Sequence, residues 1–411
     1  MDLPKHQVCA IVLTMPPCGN PKHIYMKKLL YPVFVLVFTA VLAEVTLRVL
    51  TTRDQHIDYL FKKKSYFLPP FHVPQQLPVV DTASWLNYNV YDANLGWSIG
   101  KLGAQPPYYS NHAGYRCSQA EYDSLIRSQT FYPELSKSYD IVCLGNSFTH
   151  GDEVAFEDTW PYRLQQRTGL SVLNLGVGGY GIDQAWLRFN KEQPQANLVI
   201  LGMVAGDLDR ARSQFYNLTV GGLKTKPMFI QYNGAVQVVN QPAVHGPALM
   251  EEFSKQASSE FLLRERNGNI LFDHPWYSKL YLVRVARAFT VWQQHRQPVY
   301  RTAGDDLTLC VNLLAEARRK TEQQQARFVV LLLDNLNTFI DRDKQANPWG
   351  LFVQKLEEQG IEYWYYGDQF YQQYKTNPEA VINKGLVHYT PQANDAVAEF
   401  VETRLKLTKT D

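Results

Sequence analysis

The chain predicts an α/β fold: a doubly wound parallel sheet in three α/β/α layers, with an inserted cap region and an N-terminal membrane segment. Three observations predict it. From Tyr139 onward, short and wholly apolar runs alternate with amphipathic stretches, the texture of parallel strands covered on both faces. Residues 211–300 interrupt that alternation. Residues 29–43 are apolar throughout, in a chain of 411 residues that is 45% hydrophobic and 19% charged.

Composition sets outer limits. Lys and Arg total 41 against 39 for Asp and Glu, a net charge of +2, which argues against a nucleic-acid partner held by a large basic face. The apolar share excludes a mainly disordered chain. The 5 Cys, at 9, 18, 117, 143 and 310, are too scattered for a disulfide framework, and no CxxC is present. Cys143 reads as core, whereas Cys117 and Cys310 are free to pair in an oxidising compartment.

At the N-terminus, Lys27-Lys28 precede the apolar run and Val41-Leu42-Ala43 place small residues at its end, the layout of a signal peptide. The run resumes after Glu44 as Val45-Thr46-Leu47, long enough for an uncleaved anchor. A buried core helix is the third alternative. Flanking basic residues on both sides leave orientation open. Residues 1–25, ahead of Met26, carry no structural signal and are open to being an extension from an upstream start. Either membrane reading of 26–50 exports the rest of the chain. Residues 51–135 read as loop-rich, with Pro69-Pro70, Pro74, Pro78 and Pro106-Pro107 and no long helical period. The sheet domain then covers 136–411. Strands are expected at 140–144, 171–175, 198–203, 328–333 and 362–366, and helices at 159–167, 183–191, 307–325, 349–359 and 392–405. Inside the insertion, 229–239 with Asn233-Gly234 at its centre signals a hairpin, and 277–295 a helix.

Ligands of open α/β sheets bind outside the carboxyl ends of the strands. After the first strand comes Gly145-Asn146-Ser147-Phe148-Thr149-His150-Gly151. Its Ser either caps the helix or exposes a hydroxyl where backbone N–H groups favour negative charge. After the second comes Gly176-Val177-Gly178-Gly179-Tyr180-Gly181, a match to G-x-G-x-x-G. A dinucleotide site would want an acidic residue ending the next strand, where Leu201-Gly202-Met203 stand instead. The same turn equally suits an oxyanion. After the third comes Ala205-Gly206-Asp207-Leu208-Asp209-Arg210. His388 precedes Thr390-Pro391 and the last helix, a placement that suits a general base.

That order of Ser turn, glycine turn, acidic turn and C-terminal His resembles the SGNH/GDSL hydrolases: esterases, lipases, and carbohydrate O-acyl hydrolases and transferases. The similarity is strongest over 140–189, in IVCLGNSFTHG, EDTWP and VLNLGVGGYGIDQ, and weaker over 198–210 and 387–401 (VHYTPQANDAVAEFV). The segment ending Glu44…Arg48 and the later Leu95-Gly96-Trp97 are similar to membrane-tethered members. The resemblance implies an SGNH-like fold, Ser147 as nucleophile, His388 as its base, and the Ser147 and Gly179 N–H groups as oxyanion donors. It implies no cofactor and no metal, and an acyl-ester substrate, a glycan O-acetyl group among the candidates. Three positions depart from the pattern. Asn146 replaces an Asp, Gly206 replaces an Asn that would be a third oxyanion donor, and Gly385 replaces the Asp that would orient the His. Asp207, Asp334, Asp368 and Asn383 are the candidates to orient His388, and His150 is a rival base. Asp207 and Asp209 with His388 would be an oxygen-rich metal site, but no ligand spacing supports one. Asn217-Leu218-Thr219 matches a glycosylation acceptor. Tyr108-Tyr109 and the run 363–366 are either packing or the rings of a cleft. Three functions stay open: ester hydrolysis, acyl transfer to an envelope polysaccharide, and non-catalytic glycan binding.

Overall fold

The computed structural model describes residues 21–74, 87–128, 138–216, 218, 223–344 and 347–407. The sequon residues Asn217 and Thr219, and residues 1–20, lie outside them. Helix α1 (Pro21–Leu50) is one continuous element. Its Leu30–Leu50 portion has a mean hydropathy of 2.2 with no share of it buried, so it is long and apolar enough to cross a membrane and is not a core helix.

Five strands form the central sheet: β1 (Ser138–Gly145), β2 (Val172–Asn174), β3 (Gln195–Met203), β4 (Arg327–Leu332) and β5 (Tyr363–Tyr365). Their order is β2-β1-β3-β4-β5, and every pair is parallel. In register, Ile141 lies opposite both Val172 and Leu198, and Leu331 opposite Trp364. The period of two sorts the strands between two cores. Val142, Leu144, Val199, Leu201, Val330 and Leu332 face one side. Ile141, Cys143, Leu198, Ile200, Val329 and Leu331 face the other.

The connecting helices are α2 (Ser147–His150), α3 (Trp160–Thr168), α4 (Ile182–Glu192), α5 (Tyr281–His295), α6 (Asp305–Gln323) and α7 (Pro391–Leu407). Helices α4 and α6 cover the first face, α3 and α7 the second. This is the predicted three-layer, doubly wound architecture. Local chemistry sets the ends: Thr159 accepts from the Tyr162 N–H to start α3, Pro161 sits in its first turn, and Gly169 at φ 69° stops it.

Residues 51–135 depart from the loop-rich expectation. They contain three small antiparallel sheets: Thr51–Asp54 with Ile57–Leu60 and Phe67–Leu68, Asn89–Asp92 with Gly96–Ile99, and Ala104–Gln105 with Tyr108–Ser110 and Arg116–Cys117. A helix, Gln119–Ser128, follows. Strands of two to four residues are too short to show alternation in sequence.

Within the insertion, the hairpin forms as Met228–Tyr232 and Ala235–Val239, with Asn233 at φ 48° and Gly234 at φ 79°, the two left-handed residues its tight turn requires. A short turn, Trp276–Lys279, leads into α5. The insertion does not merely cap the sheet. Phe215, Phe253, Phe261 and Phe272 pack with Ile57, Tyr59, Phe67 and Phe71 of the N-terminal region, making a core of their own. Lys226, fully buried, is ion-paired to the fully buried Asp183 of α4 and fastens that unit to the sheet. Cys117 and Cys310 are buried and free, not paired: one lies in the short strand Arg116–Cys117, the other inside α6.

Candidate active site

The chain runs from β1 to β2 on one side, then crosses to β3 on the other. The ends of β1 and β3 therefore flank a topological switch point, where a ligand has room. Ser147 stands there as the first residue of α2 and is nearly buried. Asn146 caps the helix, its side chain accepting from the Phe148 N–H at 2.7 Å. The same side chain donates to Asp207. An Asp at 146 would set two carboxylates against each other, which accounts for the amide at this position.

His388 comes from the far end of the chain. A bridge between Ile382 and Tyr389 folds its loop back, and the Asn383 N–H donates to the His388 carbonyl at 2.9 Å. The His388 Nε2 lies 2.8 Å from Ser147 Oγ. Its Nδ1 lies 2.6 Å from Glu153 Oε1, and its backbone N–H donates to Glu153 Oε2 at 3.1 Å. Ser147, His388 and Glu153 thus form a continuous hydrogen-bonded chain, the arrangement of a catalytic triad.

Glu153 was missed by sequence reasoning, and none of the expected orienters contacts His388 through its side chain. Asp207 accepts from Asn146, the Val204 N–H at 2.9 Å and Arg210 at 2.7 Å, tying the acidic turn to the Ser turn. Burial pushes its carboxyl up to about 6. Asp334 accepts from Trp349 Nε1 at 2.8 Å and Tyr365 Oη at 3.0 Å, bracing β4 against β5. Asp368 pairs with Arg342. Asn383 donates to the Tyr389 carbonyl at 3.1 Å and shapes the His loop. The expected orienters stand at later strand ends and loops, whereas Glu153 lies six residues after the Ser. The signal available was the pair Asp152-Glu153 directly after Gly151. The left-handed backbone at Glu153, φ 70°, was not readable.

Arg116 holds this loop. Its buried guanidinium donates to the carbonyls of His150, Gly151 at 2.5 Å and Val154 at 2.6 Å. Gly151 sits at φ 83°, and a Cβ there would lie 2.3 Å from Thr159 Cγ2, so glycine is required on two counts. His150 is not the base: its Nδ1 lies 2.5 Å from Asp152 Oδ1 and its Nε2 2.5 Å from Tyr88 Oη. Burial pulls its pKa down, and both ring nitrogens are already engaged by Asp152 and Tyr88.

The glycine turn lies beside Ser147. Gly179 adopts φ 81° and borders the same cleft. Among the described residues, no acceptor is engaged by the Ser147 or Gly179 N–H. Trp97 Nε1 donates to the Gly178 carbonyl at 3.0 Å, and Tyr180 Oη donates back to the Trp97 carbonyl at 2.6 Å. In a planar trans peptide the C=O and the following N–H point in opposite directions. Fixing the Gly178 oxygen therefore aims the Gly179 N–H. Gly206 does not border the cleft, and a Cβ there would meet open space. The third donor expected at that position has no counterpart.

The cleft holds about 400 Å³. Tyr88, Trp97, Tyr108 and Tyr216 line it beside the triad, with Arg210 and Lys224 at its border. Of the two aromatic clusters, Tyr108 is a cleft ring, while Trp364 is core. Asp209 pairs with Arg212 at 3.1 Å and does not join Asp207 and His388. Among the described residues, no group of three His, Cys, Asp or Glu is disposed to hold a metal.

The sequence matches no family model and no curated protein. Solved structures with likeness to the chain include a G-D-S-L family protein from Desulfitobacterium hafniense, at 13% identity and TM-score 0.33, covering 64% of this chain and 98% of that one. The psychrotrophic esterase EstA from Pseudoalteromonas sp. follows at 11% identity and TM-score 0.34, covering 67% and 100%. An acetyl xylan esterase from the rumen bacterium Butyrivibrio proteoclasticus has 9% identity and TM-score 0.30, covering 68% and 65%. Likenesses this distant carry no argument about chemistry, which rests on the side chains.

Proposed function

We propose that the protein is a serine-dependent ester hydrolase of the SGNH type that works through an acyl-Ser147 intermediate. The observation that carries this reading is the Ser147–His388–Glu153 chain, at 2.8 and 2.6 Å. His388 Nε2 takes the proton from Ser147 Oγ as the oxygen attacks the ester carbonyl. Glu153 keeps the other ring proton on Nδ1 and stabilises the imidazolium that forms. The Ser147 and Gly179 N–H groups receive the oxyanion, each such donor being worth about 3 kcal/mol. Collapse of the tetrahedral intermediate breaks the bond to the leaving alkoxide, which takes the proton from His388. Water, deprotonated by His388, then attacks the acyl group and frees Ser147.

The partly exposed rings of Tyr108 and Tyr216 beside the nucleophile suit stacking on a sugar, and a cleft of about 400 Å³ suits a short acyl group with part of its glycan. An O-acetylated glycan is the substrate class we favour. The ring-lined cleft also suits a glycan alcohol as acceptor in place of water, which makes acyl transfer the second reading. Helix α1 would tether the domain to a membrane, with the catalytic part outside the cytoplasm.

The test is treatment of the full chain with a fluorophosphonate and intact-mass detection of the adduct. Wild type is expected to gain one adduct and to hydrolyse p-nitrophenyl acetate. Ser147→Ala is expected to lose both by at least 10³-fold, the scale on which triad members act. Full activity in Ser147→Ala would refute the reading. A glycan alcohol that captures the acyl group faster than water would favour transfer.

A further inference from the structure

Two charged side chains stand where the apolar run of α1 breaks. Glu44 accepts from the Tyr281 N–H at 2.9 Å and the Leu282 N–H at 3.0 Å, in the first turn of α5. Arg48 pairs with Glu44 at 2.7 Å, donates to the Lys279 carbonyl at 2.9 Å, and lies over the Tyr281 ring at 4.8 Å. Helix α1 is therefore clamped at one height along its axis to the segment 276–289.

Arithmetic fixes that height. Residues 29–43 rise only about 22 Å at 1.5 Å each. The hydrocarbon core of a bilayer is about 30 Å thick, so a crossing that begins at residue 29 needs about 20 residues and ends near Arg48. On such a crossing the Glu44–Arg48 turn, and the segment it grips, would fall at the membrane boundary and not above it.

That segment is apolar and bare. Trp276 is 80% exposed, Tyr277 42%, Leu280 45%, Leu282 39% and Phe289 58%, far more than a soluble surface normally concentrates in so short a stretch. Lys279 is exposed among them and Arg287 is partly exposed. Trp and Tyr beside Lys or Arg is the composition of a membrane interface. Near the outer end of α1, the Phe61 N–H donates to the Leu50 carbonyl at 3.0 Å, and the exposed Phe61 is followed by exposed Lys62 and Lys63.

We propose that the 276–289 face is a lipid-docking surface, seated in the headgroup region of the leaflet that α1 leaves. The catalytic domain then lies against the membrane in one orientation instead of swinging on a tether. The occupant is the bilayer itself, because the clamp sets these residues at its boundary. The inference rests on α1 spanning a membrane and is independent of the esterase reading.

The experiment uses the full chain in phosphatidylcholine bilayers, with and without bromine near the carboxyl end of the acyl chains. The emission difference between wild type and Trp276→Phe isolates Trp276. A second variant, Trp276→Phe/Phe289→Trp, moves the reporter along the same face. Brominated lipid is expected to quench each reporter's contribution at least twofold. An unquenched reporter at either position overturns the proposal, as does release of the chain from the bilayer by an alkaline wash.

Discussion

Glu153 shows how much one side chain can contribute when its neighbours fix it. Both of its carboxylate oxygens are directed at His388, one to the ring Nδ1 and one to the backbone N–H. Replacing it by Gln keeps the shape but offers the ring an amide that can also donate, so the wrong tautomer becomes accessible. Glu153→Gln is expected to lower kcat by about 10³- to 10⁴-fold with little change in KM. Steady-state kinetics on p-nitrophenyl acetate check it, and a loss under tenfold would remove Glu153 from the triad. The turn holding Ser147 and the loop holding His388 each left a structural reading open, and it was the resemblance to the SGNH/GDSL hydrolases that singled the two out; the structure sets them 2.8 Å apart. Glu153 was not legible, because its role depends on a left-handed backbone and on three carbonyls gathered by Arg116, which is 34 residues away from the first of them. Asn146 and Asp207 illustrate the same limit: the sequence reads one as a departure and the other as an orienter, whereas in space they satisfy each other.

At the scale of elements, the strand Gly96–Ile99 controls the site without supplying a reacting group. Trp97 donates its only side-chain N–H to the Gly178 carbonyl, and through that peptide aims the Gly179 N–H. Trp97→Phe retains a ring in the cleft but removes the donor. The Gly178–Gly179 peptide is then free to turn, and kcat is expected to fall about tenfold, equal to about 1.4 kcal/mol of transition-state stabilisation. KM should move less than twofold. Comparing the two constants for wild type and variant decides the matter, since a purely packing role would shift KM or stability and spare kcat. The five strands of the sheet were readable within one to three residues because each is a continuous apolar run between breakers. The small strands of 51–117 were not, since each has only two to four residues and pairs with a chain neighbour across a turn that breaks any period. The helix Gln119–Ser128 carries only the single short apolar row Tyr122, Leu125 and Ile126 over its ten residues and buries none of them, too little periodicity to mark it in sequence.

Over the whole molecule, the N-terminal strands and the insertion share one core, and the Lys226–Asp183 pair joins it to the sheet. Lys226→Met leaves the buried Asp183 charge unpaired and is expected to cost about 3–5 kcal/mol in unfolding free energy. Lys226→Met/Asp183→Leu is expected to cost less than the single change, because it removes the stranded charge; an equal or larger loss would show that packing, not charge, dominates there. The same unit makes stability depend on pH. Glu265 is buried within the insertion, where it accepts from the Gln214 N–H at 2.9 Å. Burial pushes its carboxyl from 4.5 up to about 6. The unfolded chain releases this proton near 4.5 and the folded chain near 6, so between those values the folded state holds more protons and rising pH lowers stability. The penalty is absent below about 4.5 and complete above about 6. A shift of this size corresponds to about 2 kcal/mol. Glu265→Gln removes the titration, so the Tm of the variant should rise relative to wild type as pH climbs from about 4.5 to about 6.5 and then run parallel. The relevant measurement is thermal unfolding of both proteins across that range. Parallel curves throughout would mean that Glu265 titrates alike in the folded and unfolded chain, and that the shared core is open to water where the structure closes it.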